Sequence, residues 1–136
     1  MDNIIFVECS NEIIEKFRNK KEIFGFKFGC SLDGKTTKTV CVQKSDTEIA
    51  LLDYSLENTE LCINEFEVFL SKRKKNYGRE IISCIQKCDE ISLIYLYAET
   101  SDVKQFWNKC GFQECDDGTG TLMMIWENDT KGKVTF

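Results

Sequence analysis

Residues Val68-Phe69-Leu70-Ser71-Lys72-Arg73-Lys74-Lys75-Asn76-Tyr77-Gly78-Arg79-Glu80-Ile81-Ile82 carry a strand-like run through a short basic turn straight into a helix. The first amides of a helix have no partner inside it, and together with the helix dipole they form a socket for phosphate. Lys72, Arg73, Lys74 and Lys75 crowd that socket in a chain whose net charge is -5. Positive charge gathered in one place against an acidic background marks where an anion is expected.

At 136 residues the chain reads as one domain. A chain this long buries about two-thirds of its unfolded surface, so its core needs neither metal nor disulfide staples. No uncharged run of 18 or more apolar residues occurs, so no membrane span is expected. The opening Met1-Asp2-Asn3-Ile4-Ile5-Phe6-Val7-Glu8 is acidic where a secretory signal is basic, and the expected location is cytoplasmic. The eight cysteines include no Cys-x-x-Cys, and there is no histidine. That excludes a mixed Cys/His zinc site and serine–histidine hydrolysis, and it leaves a catalytic cysteine without its usual base. No metal is expected. Cys41, Cys62 and Cys84 fall in apolar-patterned segments, where a reduced thiol acts as a small hydrophobe.

Along the chain, Asn3 to Glu8 reads as a strand, and Ser10 or Asn11 caps a helix with Ile13, Ile14 and Phe17 at helical spacing. Phe24, Phe26 and Phe28 alternate with a period of two, and Asp33-Gly34 signals a hairpin turn into a strand near Thr39 to Gln43. Lys44-Ser45-Asp46 leads to a strand from Glu48 to Tyr54, and Asn58-Thr59 to one from Leu61 to Phe69. A helix from Arg79 shows Ile81, Ile82, Cys84, Ile85 and Cys88 on one face. Ile91 to Ala98 is a near-continuous apolar strand, suited to cover on both faces. Ser101-Asp102 caps a short helix through Lys109 that Gly111 stops. Asp117-Gly118 turns between strands at Phe112 to Cys115 and Thr121 to Glu127, and a polar tail follows from Asn128. The order describes an α/β (α+β) domain built on one mixed sheet.

Two segments of the second half resemble the GNAT superfamily of acyl-CoA-dependent N-acyltransferases. Arg73-Lys74-Lys75-Asn76-Tyr77-Gly78, after the strand ending at Val68, is similar to that family's Arg/Gln-x-x-Gly-x-Gly/Ala cofactor loop. Phe106-Trp107-Asn108-Lys109-Cys110-Gly111-Phe112 is similar to its helix with an aromatic residue four positions before Gly-Phe. The resemblance covers Leu61 to Trp126 well and the first sixty residues by element order only. It implies a single domain over 1–136, with an acceptor-side half (1–60), an acetyl-CoA-binding half (61–127) and a polar tail (128–136). It also implies a mostly antiparallel sheet whose two parallel central strands, Leu61 to Phe69 and Ile91 to Ala98, splay apart. Asn76 stands where the family has its first loop glycine. Asparagine enters the left-handed region next most readily, at a cost on the order of 1 kcal/mol.

What the resemblance implies for chemistry is transfer of an acetyl group from acetyl-CoA to an amine, by direct attack in a ternary complex. The pantetheine arm pairs with backbone at Phe66, Glu67 and Val68. The amides from Lys74 through Asn76, Tyr77 and Gly78 to Arg79 hold the diphosphate, and the basic side chains, Arg73 and Lys75 among them, cover its charge. The oxyanion falls to a backbone N–H near Val68. Glu65 is the first candidate base and Glu99 the second. A solvated carboxylate is the competing reading for each. The family's cofactor-contacting asparagine before the Trp107 helix is missing, with Thr100 or Ser101 in that neighbourhood. Trp107 replaces a tyrosine acid, and an indole N–H donates a hydrogen bond but does not give up its proton, so packing is its expected main role. The acceptor is an amine of unspecified class, small molecule or polypeptide, and pairing at the sheet edge or C-terminal strands would make a homodimer.

Two other readings compete. One is a domain of the same fold that binds CoA as a sensor or interaction module without efficient turnover, motivated by Trp107 and Asn76. The other treats Lys72 to Lys75 as a solvated charge run or nucleic-acid patch. A sequence pI near 4.9 argues against nucleic acid as a partner.

Overall fold

The computed structural model describes residues 3–24, 37–98, 101–116, 118 and 122–128. In chain order its elements are β1 (Ile4–Glu8), α1 (Asn11–Asn19), β2 (Thr37–Lys44), β3 (Thr47–Glu57), β4 (Glu60–Val68), α2 (Tyr77–Gln86), β5 (Leu93–Ala98), α3 (Ser101–Lys109), β6 (Gln113–Asp116) and β7 (Leu122–Glu127). Among the described residues the sheet has seven strands in the order β1-β2-β3-β4-β5-β7-β6. Among these strands β4 and β5 run parallel, and the other neighbouring pairs are antiparallel.

The turns follow from local chemistry. Lys44 pairs with Thr47, and the two residues between them, Ser45 and Asp46, both have positive φ, as a tight twisted hairpin requires. Asn58 takes φ 56° in the next hairpin, where Glu57 pairs with Glu60. Helix α2 begins at Tyr77, two residues before the expected Arg79, because Asn76 turns the chain with φ 62° and ψ 17°. Strand β5 begins at Leu93 rather than Ile91, whose amide is taken by the Cys88 carbonyl in the preceding turn. The alternating phenylalanines beyond Phe24 and the Asp33-Gly34 turn lie outside the described residues, as does the tail from Asp129.

Each face of the sheet has its own core. On one face Ile81, Ile82 and Ile85 of α2, Trp107 of α3 and Phe112 pack against Val42, Ala50, Leu52, Ile94 and Leu96. Ile81 and Ile82 are fully buried, and such burial stabilises by roughly 1.5–3 kcal/mol per side chain. On the other face Ile14 and Phe17 of α1 join Cys41, Leu51 and Phe69, with the Phe17 and Phe69 rings 4.2 Å apart. Strand β1 forms one sheet edge and exposes Ile5, Phe6 and Val7. Among the described residues no helix is long and apolar enough to cross a membrane.

Candidate functional site

The parallel strands β4 and β5 are paired at Glu60–Leu93, Leu61–Ile94 and Cys62–Tyr95, and no further. Beyond that rung β4 runs on to Val68 and β5 to Ala98 with no pairing between them. The cause lies on the other side of β4. Tyr54 pairs with Ile63 but Asp53 pairs with Glu65, so Asn64 is an extra residue in β4. A bulge of this kind bends its strand and sharpens the local twist. It also interrupts the in-out alternation, turning Asn64 and Glu65 toward the same face of the sheet.

The bulge is clamped from below. Asn64 Nδ2 donates to Asp53 Oδ1 at 2.9 Å and to Ser55 Oγ at 3.0 Å. Thr39 Oγ1 donates to Asp53 Oδ2 at 2.7 Å. Asp53 is 3% exposed, so this carboxylate depends on those donors. Its signal in the sequence is an acid interrupting the apolar run Ile49-Ala50-Leu51-Leu52, and it was not among the expected site residues.

Where β4 ends, Phe69 N–H donates to Ile49 O across β3 at 2.9 Å. Amides alternate sides along a strand, so the Val68 N–H faces the gap. A 3₁₀ turn, Leu70–Lys72, follows. Lys74 and Asn76 then adopt left-handed backbone, with φ 65° and 62°. Asn76 fits that region as expected. Lys74 does not, and its conformation costs roughly 1–2 kcal/mol. Among the described residues no backbone carbonyl accepts from the amides of Lys74 through Arg79, and the first helical bond runs from Glu80 N to Asn76 O at 3.1 Å. That stretch offers a run of donors at the positive end of α2.

The side chains around the loop divide into engaged and available cations. Arg73 Nε donates to Val68 O, and Arg73 Nη2 pairs with Glu67 Oε2, both at 2.9 Å. Arg79 Nη2 donates to Lys109 O at the end of α3. Lys44 bonds Glu80 Oε1 at 2.8 Å and lies over the Tyr77 ring, bracing the first turn of α2. Among the described residues Lys72, Lys74 and Lys75 make no ion pair, and Lys74 and Lys75 are exposed. Gly78 is buried against α3: a Cβ there would meet Phe106 Cε1 at 3.0 Å and Cζ at 3.1 Å. Glycine suits this close helix packing, a role distinct from the amide it presents.

Across the gap, Phe66 faces Trp107 and Phe106, with ring centroids 6.2 and 6.4 Å away. Trp107 also meets Phe106 at 4.9 Å and Phe112 at 5.1 Å. It is buried, and among the described residues its Nε1 is the one buried side-chain donor that lacks a hydrogen-bond partner. On the opposite face Tyr95 and Tyr97 meet edge-on at 6.4 Å. Burial and the neighbouring Cys62 thiol push the Tyr95 phenol up to about 12, so it stays protonated at neutral pH. Glu65 and Glu67 share that face; Glu67 is held by Arg73 and by the Phe24 amide. Glu99 and Thr100 lie outside the described residues.

No protein-family model and no curated protein sequence matches the chain. Solved structures do. Over 100% of this chain and 99% of the other, it superposes on the ribosomal-protein-S18-alanine N-acetyltransferase from Escherichia coli with a TM-score of 0.69 at 13% identity. A protein from Desulfovibrio desulfuricans assigned to the GNAT family matches over 94% of this chain and 99% of that one, with a TM-score of 0.63 at 9% identity. The PaiA N-acetyltransferase from Thermoplasma acidophilum, solved with coenzyme A, matches over 67% of this chain and 60% of that one, with a TM-score of 0.55 at 17% identity. The mixed sheet with its flanking helices is the fold of the GNAT acyltransferases.

Proposed function

We propose that this chain, folded as the GNAT acyltransferases are, moves an acetyl group from acetyl-CoA to an amine acceptor by direct attack in a ternary complex. One observation carries the reading: two parallel strands that part after three rungs, with donor amides from Lys74 to Arg79 at the end of the gap. The diphosphate sits on those amides, and Lys72, Lys74 and Lys75 answer its remaining charge. The pantetheine amides extend the sheet along the open edge of β4 at Phe66, Glu67 and Val68. The thioester then lies near the bulge, with the Val68 N–H toward its carbonyl oxygen.

An alkylammonium must lose a proton before it can attack. Glu65, brought by the bulge onto the acceptor-side face, is the preferred base, with Glu99 as the second candidate. The amine lone pair attacks the carbonyl carbon, the oxyanion collapses, the C–S bond breaks with its electrons on sulfur, and the nitrogen gives up its second proton to the departing thiolate or to water. A thiolate with a pKa near 8–9 leaves without an obligatory acid, which is why Trp107 can stand where a tyrosine is usual. The acceptor, a small molecule or a polypeptide amine, enters from the side built by the first sixty residues. The reaction uses no metal, and a second copy would pair through the open edge of β1 or β6.

Acetyl-CoA in the millimolar range is expected to raise the melting temperature by about 4 °C or more, as a ligand worth 1 kcal/mol or more does in a domain of this size. Among a panel of polyamines, amino acids and peptides, at least one is expected to release free thiol. No thermal shift at that concentration overturns the reading. The second reading, a CoA-binding sensor or interaction module, is favoured by Trp107 alone; it is distinguished by a full thermal shift with no thiol release across the panel.

A further inference from the structure

Just past α1, residues Glu22 to Phe24 lie against the start of the basic loop. Leu70 N–H donates to Glu22 O at 2.9 Å, and the Ser71 hydroxyl donates to Glu22 Oε2. Phe24 N–H donates to Glu67 Oε2 at 2.9 Å. That same oxygen accepts from Arg73 Nη2 at 2.9 Å, and the Arg73 guanidinium stands 6.0 Å from the Phe24 ring. These partners are 43 to 49 residues apart in sequence along the Glu22–Ser71 and Phe24–Glu67 contacts. One carboxylate oxygen therefore joins the cation that opens the loop to the segment that leads into the acceptor side.

We infer that Glu67 is a positioning residue that couples the cofactor loop to the acceptor-side segment, so that a bound coenzyme A tightens the chain at Phe24. The inference rests on the acetyl-CoA reading above. Arg73 has five N–H donors and directs one to Val68 O and one to Glu67, which leaves others for phosphate. A phosphate on those remaining donors fixes the guanidinium, and through it the Glu67 carboxylate. A carboxylate already held still loses less entropy when it accepts the Phe24 N–H, so the two events favour each other without any new contact. Linkage makes the effect reciprocal: an acceptor that steadies the chain at Phe24 strengthens coenzyme A binding by the same factor. The side-chain exposures fit such a link, since Glu67 is 15% exposed and shielded whereas Arg73 at 41% remains open to a ligand.

The test is residue-resolved amide hydrogen exchange with coenzyme A as the only addition. In the native protein the amides from Lys74 to Arg79 are expected to slow, and the Phe24 amide to slow by about fivefold or more, the lower end of ordinary coupling between sites. Glu67→Gln keeps an acceptor for the Phe24 N–H but loses the ion pair. It is expected to retain protection at the loop and lose the response at Phe24. Arg73→Met, which alters a partly exposed side chain and also removes a phosphate contact, is expected to need more coenzyme A, and at saturation to keep protection at the loop while losing the response at Phe24; it guards against a folding defect in the first variant. Slowing at the loop with none at Phe24 overturns the coupling alone, as does an undiminished response at Phe24 in both variants. No slowing at the loop overturns the cofactor reading and the coupling with it.

Discussion

Phe112 N–H donates to the Trp107 carbonyl at 3.0 Å while the two rings meet at 5.1 Å, so a single residue pair closes helix α3 twice over. Gly111 between them takes φ 92°, and its own N–H donates to Asn108 O at 3.0 Å. This is a left-handed helix stop with its accompanying apolar contact. The spacing from Trp107 to Gly111-Phe112 is thus a structural requirement before it is anything catalytic.

Trp107→Ala is accordingly expected to cost about 3–5 kcal/mol, the range for emptying a buried aromatic site, read by urea denaturation. Trp107→Tyr keeps the ring contacts and supplies a titratable hydroxyl. It is expected to change thiol release by less than about tenfold, since a thiolate needs little help in leaving. A gain of a hundredfold would show that a missing acid limits turnover.

Asp53→Ala removes the acceptor that Asn64 and Thr39 share. Leaving those donors unsatisfied should destabilise the fold by about 1–3 kcal/mol, and the bulge loses its clamp. The same variant should lose much of its thermal response to acetyl-CoA, because the gap depends on that bulge. Melting curves with and without the ligand separate the two effects.

Gly78→Ala drives a methyl group against the Phe106 ring, at 3.0 and 3.1 Å from two of its carbons. A loss of about 1–3 kcal/mol is expected, as for other overpacked sites. Phe106→Leu in the same chain should restore part of it. A double-mutant cycle on melting data measures that recovery.

The Cys41 thiol is pushed up to about 12, chiefly by burial and then by the carboxylate of Glu48, to which it donates. Iodoacetamide at pH 8 should leave Cys41 unmodified while labelling Cys88, which is exposed, as peptide mass analysis will show. The folded state holds this proton more tightly than the unfolded one. Its stabilising contribution is therefore complete below pH 9 and is lost as pH rises from there toward 12, which alkaline melting curves will register.

Much of this architecture was readable from the chain. Asn58, Ser45-Asp46 and Gly111 mark turns by residue type, and Asn76 tolerates the backbone its loop requires. Lys74 was not readable: nothing in a lysine announces positive φ, and the strain is imposed by the short turn on one side and α2 on the other. The bulge at Asn64 was hidden too, since one extra residue within an alternating strand shows only once the neighbouring strand fixes the register. Asp53 left a trace, a lone acid in an apolar run, but its meaning depends on Asn64 and Thr39, which are distant in sequence. The parallel pairing of β4 with β5 came from resemblance, because the residues between them fit several sheet orders equally well.

Gly78 packs directly under the Phe106 ring, and Arg79 grips the last carbonyl of α3 from the same turn. Under the proposed function, these two contacts join the anchor for a ligand's charged head to the wall beside its reactive tip. On that reading, a molecule long enough to reach from the amides of α2 to the indole ring of Trp107 engages both ends, and a shorter one does not.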